Sequence, residues 1–68
     1  MEIQISFYLG EHEPVAVTLP EGATLGHVRE VLEVMENKLF IVNGLIRQDS
    51  YQISPTDKIL AMPVLDGG

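Results

Sequence analysis

The spacing of the apolar residues changes twice along this chain, and that change limits the fold more than any other feature. In residues 2–7 and 15–19 polar and apolar residues alternate, which is the two-residue period of a half-buried β-strand. Residues 24–36 carry apolar residues at helical spacing, and short apolar runs of strand length follow in residues 39–42 and 59–62. The pattern predicts strands at both ends of the chain and one helix between them.

Short breaks show how these elements connect. Residues 10–14 contain glycine and proline and predict a turn that joins the first two strands into a hairpin. Asn43-Gly44 separates two further apolar runs, and this dipeptide favours a two-residue hairpin because both residues tolerate a positive φ. Residues 49–57 are polar and contain a proline, so we expect a connecting loop before the last strand.

The helical segment has a predicted start, end and buried side. Thr24 precedes the apolar stripe and is a preferred N-cap residue, because its hydroxyl can accept a hydrogen bond from the first turn. Asn37-Lys38 marks the predicted end of the helix. The side chains predicted to enter the core are Leu25, Val28, Val31, Leu32 and Met35 of the helix, Ile3, Ile5, Phe7 and Leu9 of the first strand, and Tyr51 and Ile53 of the loop. Arg29, Glu30, Glu33 and Glu36 are predicted to lie on the solvent side.

The order strand, strand, helix, strand, short strand, strand is typical of the α+β arrangement called β-grasp. It predicts a mixed sheet of four to five strands packed on one helix, with both hairpins antiparallel. The helix supplies the crossover that lets the first and last strands pair in parallel. We expect a β-grasp domain over residues 1–63 and a flexible C-terminal tail over residues 64–68.

The composition argues against several classes of function. The chain has no cysteine, which excludes disulfides and cysteine-based metal sites, and no side-chain spacing predicts a metal site or a catalytic set. The net charge is −6 with four basic residues, so the basic stripe of a nucleic-acid-binding protein is missing. No apolar run approaches the roughly 20 residues of a membrane span, and no signal peptide pattern is present. We expect a cytoplasmic protein that binds no cofactor, nucleic acid or membrane.

The two last residues, Gly67-Gly68, point to a chemistry that needs no side chain. Glycines can enter a narrow channel and bring the backbone close to a nucleotide. If adenylation by ATP activates the carboxylate of Gly68, a sulfur nucleophile can attack it, and sulfur is then stored without any cysteine. The alternative is that the two glycines are accidental or part of a flexible end.

Three short features carry a resemblance to a known family. They are Val42-Asn43-Gly44 with Arg47 downstream, Asp57-Lys58-Ile59 before the last strand, and the ending Pro63-Val64-Leu65-Asp66-Gly67-Gly68. With these, nearly the whole chain resembles the ubiquitin-like sulfur carrier proteins of the ThiS/MoaD group. The segment around Asn43 is similar to the thiamine carriers and the proline before the tail to the molybdopterin carriers. Asp66 departs from the small residue often found before the two glycines.

The resemblance implies a carrier protein and no enzyme. Gly68 would be adenylated by a ubiquitin-activating-like adenylyltransferase that uses ATP and magnesium, and a persulfide donor would convert it to a thiocarboxylate. The sulfur would pass to an accepting synthase, either thiazole synthase or the large subunit of molybdopterin synthase. The resemblance also implies that the helix-free face of the sheet and the base of the tail dock on the activating enzyme.

Residue alternation indicates which side chains lie on that docking face. In the last strand it places Ile59 and Ala61 inward and Leu60 and Met62 outward. The side chains predicted to contact partners are Phe40, Leu60, Met62, Pro63, Val64 and Leu65, with Asp66 and Gly67 leading to the reactive Gly68.

Two other functions remain open beside the sulfur carrier. A ubiquitin-like protein modifier would use the same activation chemistry and join Gly68 to a lysine of a target. A β-grasp binding module would use the fold without any terminal chemistry.

Overall fold

The computed structural model of the chain describes residues 1–64. Its strands are β1 (Glu2–Phe7), β2 (Val15–Thr18), β3 (Lys38–Val42), β4 (Leu45–Arg47) and β5 (Ile59–Pro63), and its α-helix is α1 (Leu25–Val31). The strands form one sheet in the order β2-β1-β5-β3-β4. β1 and β5 are parallel, and the other neighbouring strands are antiparallel. The predicted β-grasp arrangement, with five strands and one helix, is confirmed.

The core lies between the sheet and α1, and the strand periodicity explains its composition. Along β1 the exposed and buried residues alternate without a break, as the sequence pattern requires. The buried apolar side chains are Ile3, Ile5, Phe7, Val17, Leu19, Ala23, Leu25, Val28, Met35, Phe40, Val42, Ile53, Ile59 and Ala61. Tyr51 is half-buried and packs against this cluster, as predicted. No helix within residues 1–64 has the length and apolar character needed to cross a membrane.

Two local predictions from residue chemistry are confirmed. Asn43 and Gly44 have φ angles of 52° and 86° and join β3 to β4, as a two-residue turn with two positive φ angles requires. The Thr24 hydroxyl accepts a hydrogen bond of 3.3 Å from the His27 N–H and caps α1.

The predicted inward position of Leu9 is wrong. β1 ends at Phe7, and Tyr8–Gly10 forms a short 3-10 turn in which Leu9 has a φ of 53° and is 87% exposed. The two-residue period applies only while the chain remains extended, so the turn takes Leu9 off the core side.

The helix ends earlier than predicted. α1 stops at Val31, which is 51% exposed, and Leu32 takes an extended conformation before the 3-10 turn Glu33–Met35. That turn carries Met35 into the core, where it is fully buried. The predicted core position of Val31 is therefore wrong, while Leu25, Val28 and Met35 are buried as predicted by a short helix and the turn after it.

The prediction that Arg29 faces the solvent is wrong. Its Nη1 donates hydrogen bonds of 2.8 Å to the Met35 carbonyl and 2.9 Å to the Lys38 carbonyl. Its Nε and Nη2 donate to the two carboxylate oxygens of Asp49, at 3.2 and 3.0 Å. The guanidinium also lies 4.8 Å from the centroid of the Phe40 ring. One half-buried side chain thus satisfies two backbone carbonyls in the segment between α1 and β3.

Candidate functional site

The sheet face opposite α1 carries a continuous group of apolar side chains, which we call the open-face patch. It consists of Leu39 and Ile41 of β3, Ile46 of β4, and Leu60 and Met62 of β5. Strand register brings them together, because Leu39 pairs with Met62, and Ile41 pairs with both Leu60 and Ile46. Leu39 is 38% exposed and Ile46 66% exposed, while the other three are half-buried.

The open-face patch covers only one half of that face. The outward residues of β1 are Glu2, Gln4 and Ser6, and those of β2 are Ala16 and Thr18. The face is therefore divided between a polar half on β2 and β1 and an apolar half on β5, β3 and β4. A partner that docks by apolar contact has one half of the sheet available to it.

The apolar half leads directly to the C-terminal segment. β5 ends at Pro63, which is opposite Lys38 of β3, and the Val64 N–H then donates a hydrogen bond of 3.2 Å to the Asn37 carbonyl. Pro63 is half-buried and Val64 is 46% exposed. Of the predicted contact residues, Leu60, Met62, Pro63 and Val64 thus lie together. The predictions for Leu65, Asp66, Gly67 and Gly68 fall outside the described residues.

Phe40 does not belong to this surface, and its predicted contact role is wrong. Its side chain is 1% exposed and lies on the α1 side of β3, under the Arg29 guanidinium. Alternation then places its neighbours Leu39 and Ile41 on the open face. The sequence alone did not fix the phase of β3, because residues 39–42 are all apolar and show no alternation.

Three side chains of the open-face patch, Leu39, Ile41 and Ile46, were missed for related reasons. The Asn43-Gly44 turn sets the hairpin register, and from that register Ile41 and Ile46 are paired residues on one face. Leu39 follows from the same register. Counting outward from the turn pairs these residues, and pairing of β3 with the inward Ala61 of β5 decides that they face outward.

The turn between β1 and β2 adds two further features near the end of β5. Tyr8–Gly10 contacts β5, and its exposed Leu9 lies at the same end of the sheet as Val64. The Glu11 carboxylate forms an ion pair with the Lys38 ammonium, which ties this turn to the start of β3. The C-terminal end of β5 therefore has contacts with Asn37 on one side and with Tyr8–Gly10 on the other.

Charges within the described residues leave an acidic surface. Arg29 pairs with Asp49 and Lys38 pairs with Glu11, so two of the four basic side chains are occupied inside the fold. The net charge of the whole chain is −6, which favours association with partners that carry a basic surface.

A polar cluster at the opposite end of β5 has a structural role. Asp57 accepts hydrogen bonds of 2.8 Å from the Tyr51 hydroxyl, 2.8 Å from the Ser54 N–H and 2.9 Å from the Asn43 amide. The Asn43 side-chain oxygen in turn accepts a bond of 2.9 Å from the Lys58 N–H. These contacts fasten the β3–β4 turn to the loop before β5. The segments around Asn43 and Asp57 that carry the family resemblance thus stabilise the fold, and neither of these two side chains belongs to the open-face patch.

The pKa shifts in this cluster follow from its hydrogen bonds. Burial raises the pKa of Asp57, but the hydrogen bonds from Ser54, Tyr51 and Asn43 outweigh it and hold the pKa below its ordinary value. The hydrogen bond to Asp57 raises the pKa of Tyr51, with burial adding to the effect. Both pKa shifts correspond to an ionised Asp57 beside a neutral Tyr51 at neutral pH.

Two shallow depressions and no metal cluster are found in the described residues. One, of about 470 Å³, lies between β1 and the loop before β5, and its lining includes Glu2, Gln4, Asp57 and Lys58. The other, of about 350 Å³, lies along β4. Within residues 1–64 no three histidine or acidic side chains are arranged to hold a metal ion.

Comparison with known proteins supports the fold. No protein-family model and no curated protein matches the chain. Among solved structures it is similar to "Caldiarchaeum Subterraneum Ubiquitin", with a TM-score of 0.77 and 22% sequence identity, over 100% of this chain and 98% of that one. Identity this low shows the fold alone. The chain has a ubiquitin-like β-grasp fold, in which a mixed five-stranded sheet packs on one helix.

Proposed function

We propose that this protein is a sulfur carrier whose Gly68 carboxylate is activated by a partner enzyme. The observation that carries the proposal is the open-face patch, which continues through Met62 and Pro63 to the base of the Gly-Gly segment. An enzyme that binds this patch would hold residues 65–68 at a fixed distance from its own nucleotide-binding site.

The proposed chemistry takes place in two stages. The Gly68 carboxylate attacks the α-phosphorus of ATP, which forms an acyl adenylate and releases pyrophosphate, with magnesium held by the enzyme. A persulfide then displaces AMP, and a second thiol cleaves the resulting acyl disulfide to leave the thiocarboxylate. The chain contains no cysteine, so the carboxyl group of Gly68 would be the group that carries the sulfur. The accepting synthase of thiazole or molybdopterin formation would be the recipient.

A protein modifier is the second candidate, and the likeness to an archaeal ubiquitin favours it. In that case an amine of a target lysine attacks the activated Gly68 and forms an isopeptide bond. The first stage is identical, so the two functions differ only in the nucleophile. A β-grasp binding module without terminal chemistry is the third.

The test separates these functions by mass. The protein is incubated with an activating enzyme, ATP, magnesium and a persulfide donor, after its intact mass has established that Gly68 is its last residue. The sulfur carrier gains the mass difference between one sulfur and one oxygen, and fragmentation places that gain at Gly68. Oxidation of Met1, Met35 or Met62 adds one oxygen atom at a methionine, which fragmentation distinguishes.

The matched control is the protein without Gly68. We expect it to melt at the same temperature as the intact protein and to release no pyrophosphate. In cell lysate with ATP, higher-mass conjugates in place of the thiocarboxylate would support the modifier. Undiminished pyrophosphate release by the shortened protein would refute activation at Gly68 in either form.

A further inference from the structure

The outer edge of β4 has features that the activation of Gly68 does not require. β4 is the last strand of the sheet, so one side of its backbone faces no neighbouring strand. Its three residues, Leu45, Ile46 and Arg47, are all exposed, with Leu45 at 58% and Ile46 at 66%. Two adjacent exposed apolar residues on an unpaired edge form a template for another strand.

The two-residue turn determines which backbone groups are free. In such a hairpin the residues that flank the turn, Val42 and Leu45, exchange hydrogen bonds. The next pair, Ile41 and Ile46, does not. The N–H and C=O of Ile46 therefore point away from β3 and are available to an added strand.

The side chains of β4 lie on both faces of the sheet around these groups. Ile46 belongs to the open face, opposite Ile41. Leu45 and Arg47 lie on the other face, since they pair with the buried Val42 and Phe40. A strand placed beside β4 would thus meet an apolar side chain on each face and a guanidinium next to one of them.

Arg47 gives the edge its charge preference. Its guanidinium lies 5.2 Å from the centroid of the Tyr51 ring, and no ion pair within residues 1–64 includes it. Its positive charge lowers the pKa of Asp57 only as the smallest of several causes. A depression of about 350 Å³ surrounds it, lined by Ile46, Arg47, Gln48, Ser50 and Tyr51. The guanidinium, the Gln48 amide and the Ser50 hydroxyl are hydrogen-bond donors suited to a carboxylate.

The other edge of the sheet lacks these features. β2 is bounded by Pro14 and Pro20, which cannot donate to an added ladder, and its outward side chains Ala16 and Thr18 are small. An added strand would therefore find fewer backbone donors and less apolar surface at the β2 edge than at the β4 edge.

We propose that the β4 edge binds an extended segment of a partner protein, in antiparallel orientation, in which an acidic residue is followed by two apolar residues. The acidic side chain lies opposite Arg47, the first apolar one beside Ile46 and the second beside Leu45. The central residue exchanges backbone hydrogen bonds with Ile46. A second copy of this chain fits less well, because pairing around Ile46 would place Arg47 against Leu45 and bring together two chains of charge −6.

The experiment uses two synthetic peptides and the full chain labelled with ¹⁵N. The test peptide is acetyl-Ser-Glu-Val-Ile-Thr-amide, and its matched control has Gln in place of Glu. We expect saturable amide shifts in residues 45–48 and 50–51. Arg47→Gln should weaken binding of the Glu peptide by about fivefold, as an exposed ion pair does, and leave the Gln peptide unchanged.

Two further variants test the geometry. A chain of 68 residues is accessible to chemical synthesis, and N-methylation of Ile46 removes the outward donor without removing a bond of the β3–β4 ladder. We expect this chain to bind neither peptide, while Leu60→Glu, on the open-face patch, binds both normally. Spectra outside β4 that match the wild type show that each variant is folded.

Several outcomes would overturn the proposal. Shifts centred on Leu39, Leu60 and Met62 would assign the peptide to the open-face patch instead. Equal affinity for the two peptides, an unchanged affinity in Arg47→Gln, or no saturable shift at millimolar peptide would exclude the acidic ligand. Sedimentation that shows a dimer dissociated by N-methylation of Ile46 would replace the partner segment with a second copy.

Discussion

Replacing Arg29 tests whether this side chain holds the fold together, as its contacts indicate. Methionine in its place keeps an unbranched apolar stem and removes every hydrogen-bond donor. The Met35 and Lys38 carbonyls then lose charged donors at 2.8 and 2.9 Å, in partly buried surroundings. The Asp49 carboxylate, with its side chain 55% exposed, is left to water.

The magnitude follows from those contacts. A hydrogen bond to a charged group contributes about 1.5–3 kcal/mol, and we take the lower value for two bonds that are only partly buried. An exposed ion pair adds at most about 1 kcal/mol. We therefore expect Arg29→Met to lower the free energy of unfolding by about 3 kcal/mol. This is a large loss for a domain this small.

Arg47→Met is the matched control. Both arginines lie over an aromatic ring, at 4.8 Å for Arg29 and 5.2 Å for Arg47, but only Arg29 donates to backbone carbonyls. Loss of an exposed cation–π contact costs about 0.5–1 kcal/mol. Urea unfolding followed by circular dichroism measures both variants, with an m-value of about 1 kcal/mol/M expected for a chain of this size. If Arg29→Met costs no more than Arg47→Met, the carbonyl contacts do not stabilise the fold. Arg29→Lys keeps the charge and provides an intermediate value should Arg29→Met not fold.

Three further outcomes are expected. Met62→Glu should weaken binding to the activating enzyme by about 1–3 kcal/mol and leave the melting temperature unchanged, since the side chain is on the open face; a large fall in melting temperature would refute that position. Because its hydrogen bonds hold the pKa of Asp57 below 3.8, the carboxylate stabilises the fold above that pH, and the stabilisation is lost as the pH falls through the lower, folded-state pKa. Urea midpoints of Asp57→Asn and wild type should therefore differ at pH 7 and converge in acid, and a pH-independent difference would contradict this. The net charge of −6 should make association with the activating enzyme slower at physiological than at low ionic strength, and an unchanged rate in stopped-flow measurements would assign the charge to solubility alone.

Local residue chemistry predicted the elements whose signals depend only on near neighbours. The alternation of β1, the Thr24 cap and the Asn43-Gly44 turn all follow from residues within a few positions of each other. Leu9 and Arg29 were placed wrongly because the period of their own element does not decide their environment. The turn at Tyr8–Gly10 removes Leu9 from the strand, and Arg29 meets carbonyls six and nine residues later in the chain.

The main error in predicting the site concerned β3, where the sequence does not show which residues face the core and which face outward. Four consecutive apolar residues, 39–42, offer no period, so Phe40 was assigned to the surface that its two neighbours occupy. The correct phase depends on pairing with β5, where Ala61 lies opposite Phe40 and is itself buried. Since Ile59 and Ala61 were already predicted inward, extending the register from the turn to β5 would have corrected Phe40.

The arrangement of polar and apolar residues explains why the conspicuous motifs did not mark the site. Asn43 and Asp57 form a cluster at the start of β5, where hydrogen bonds replace packing between a turn and a loop. The open-face patch begins with Leu60, the second residue of that strand, and consists of ordinary aliphatic side chains. Those side chains can be recognised as a site only when the strand register shows that they share the sheet face opposite α1. The polar motifs within residues 1–64 thus stabilise the fold, and the apolar residues that the core leaves outside mark the surface available to partners.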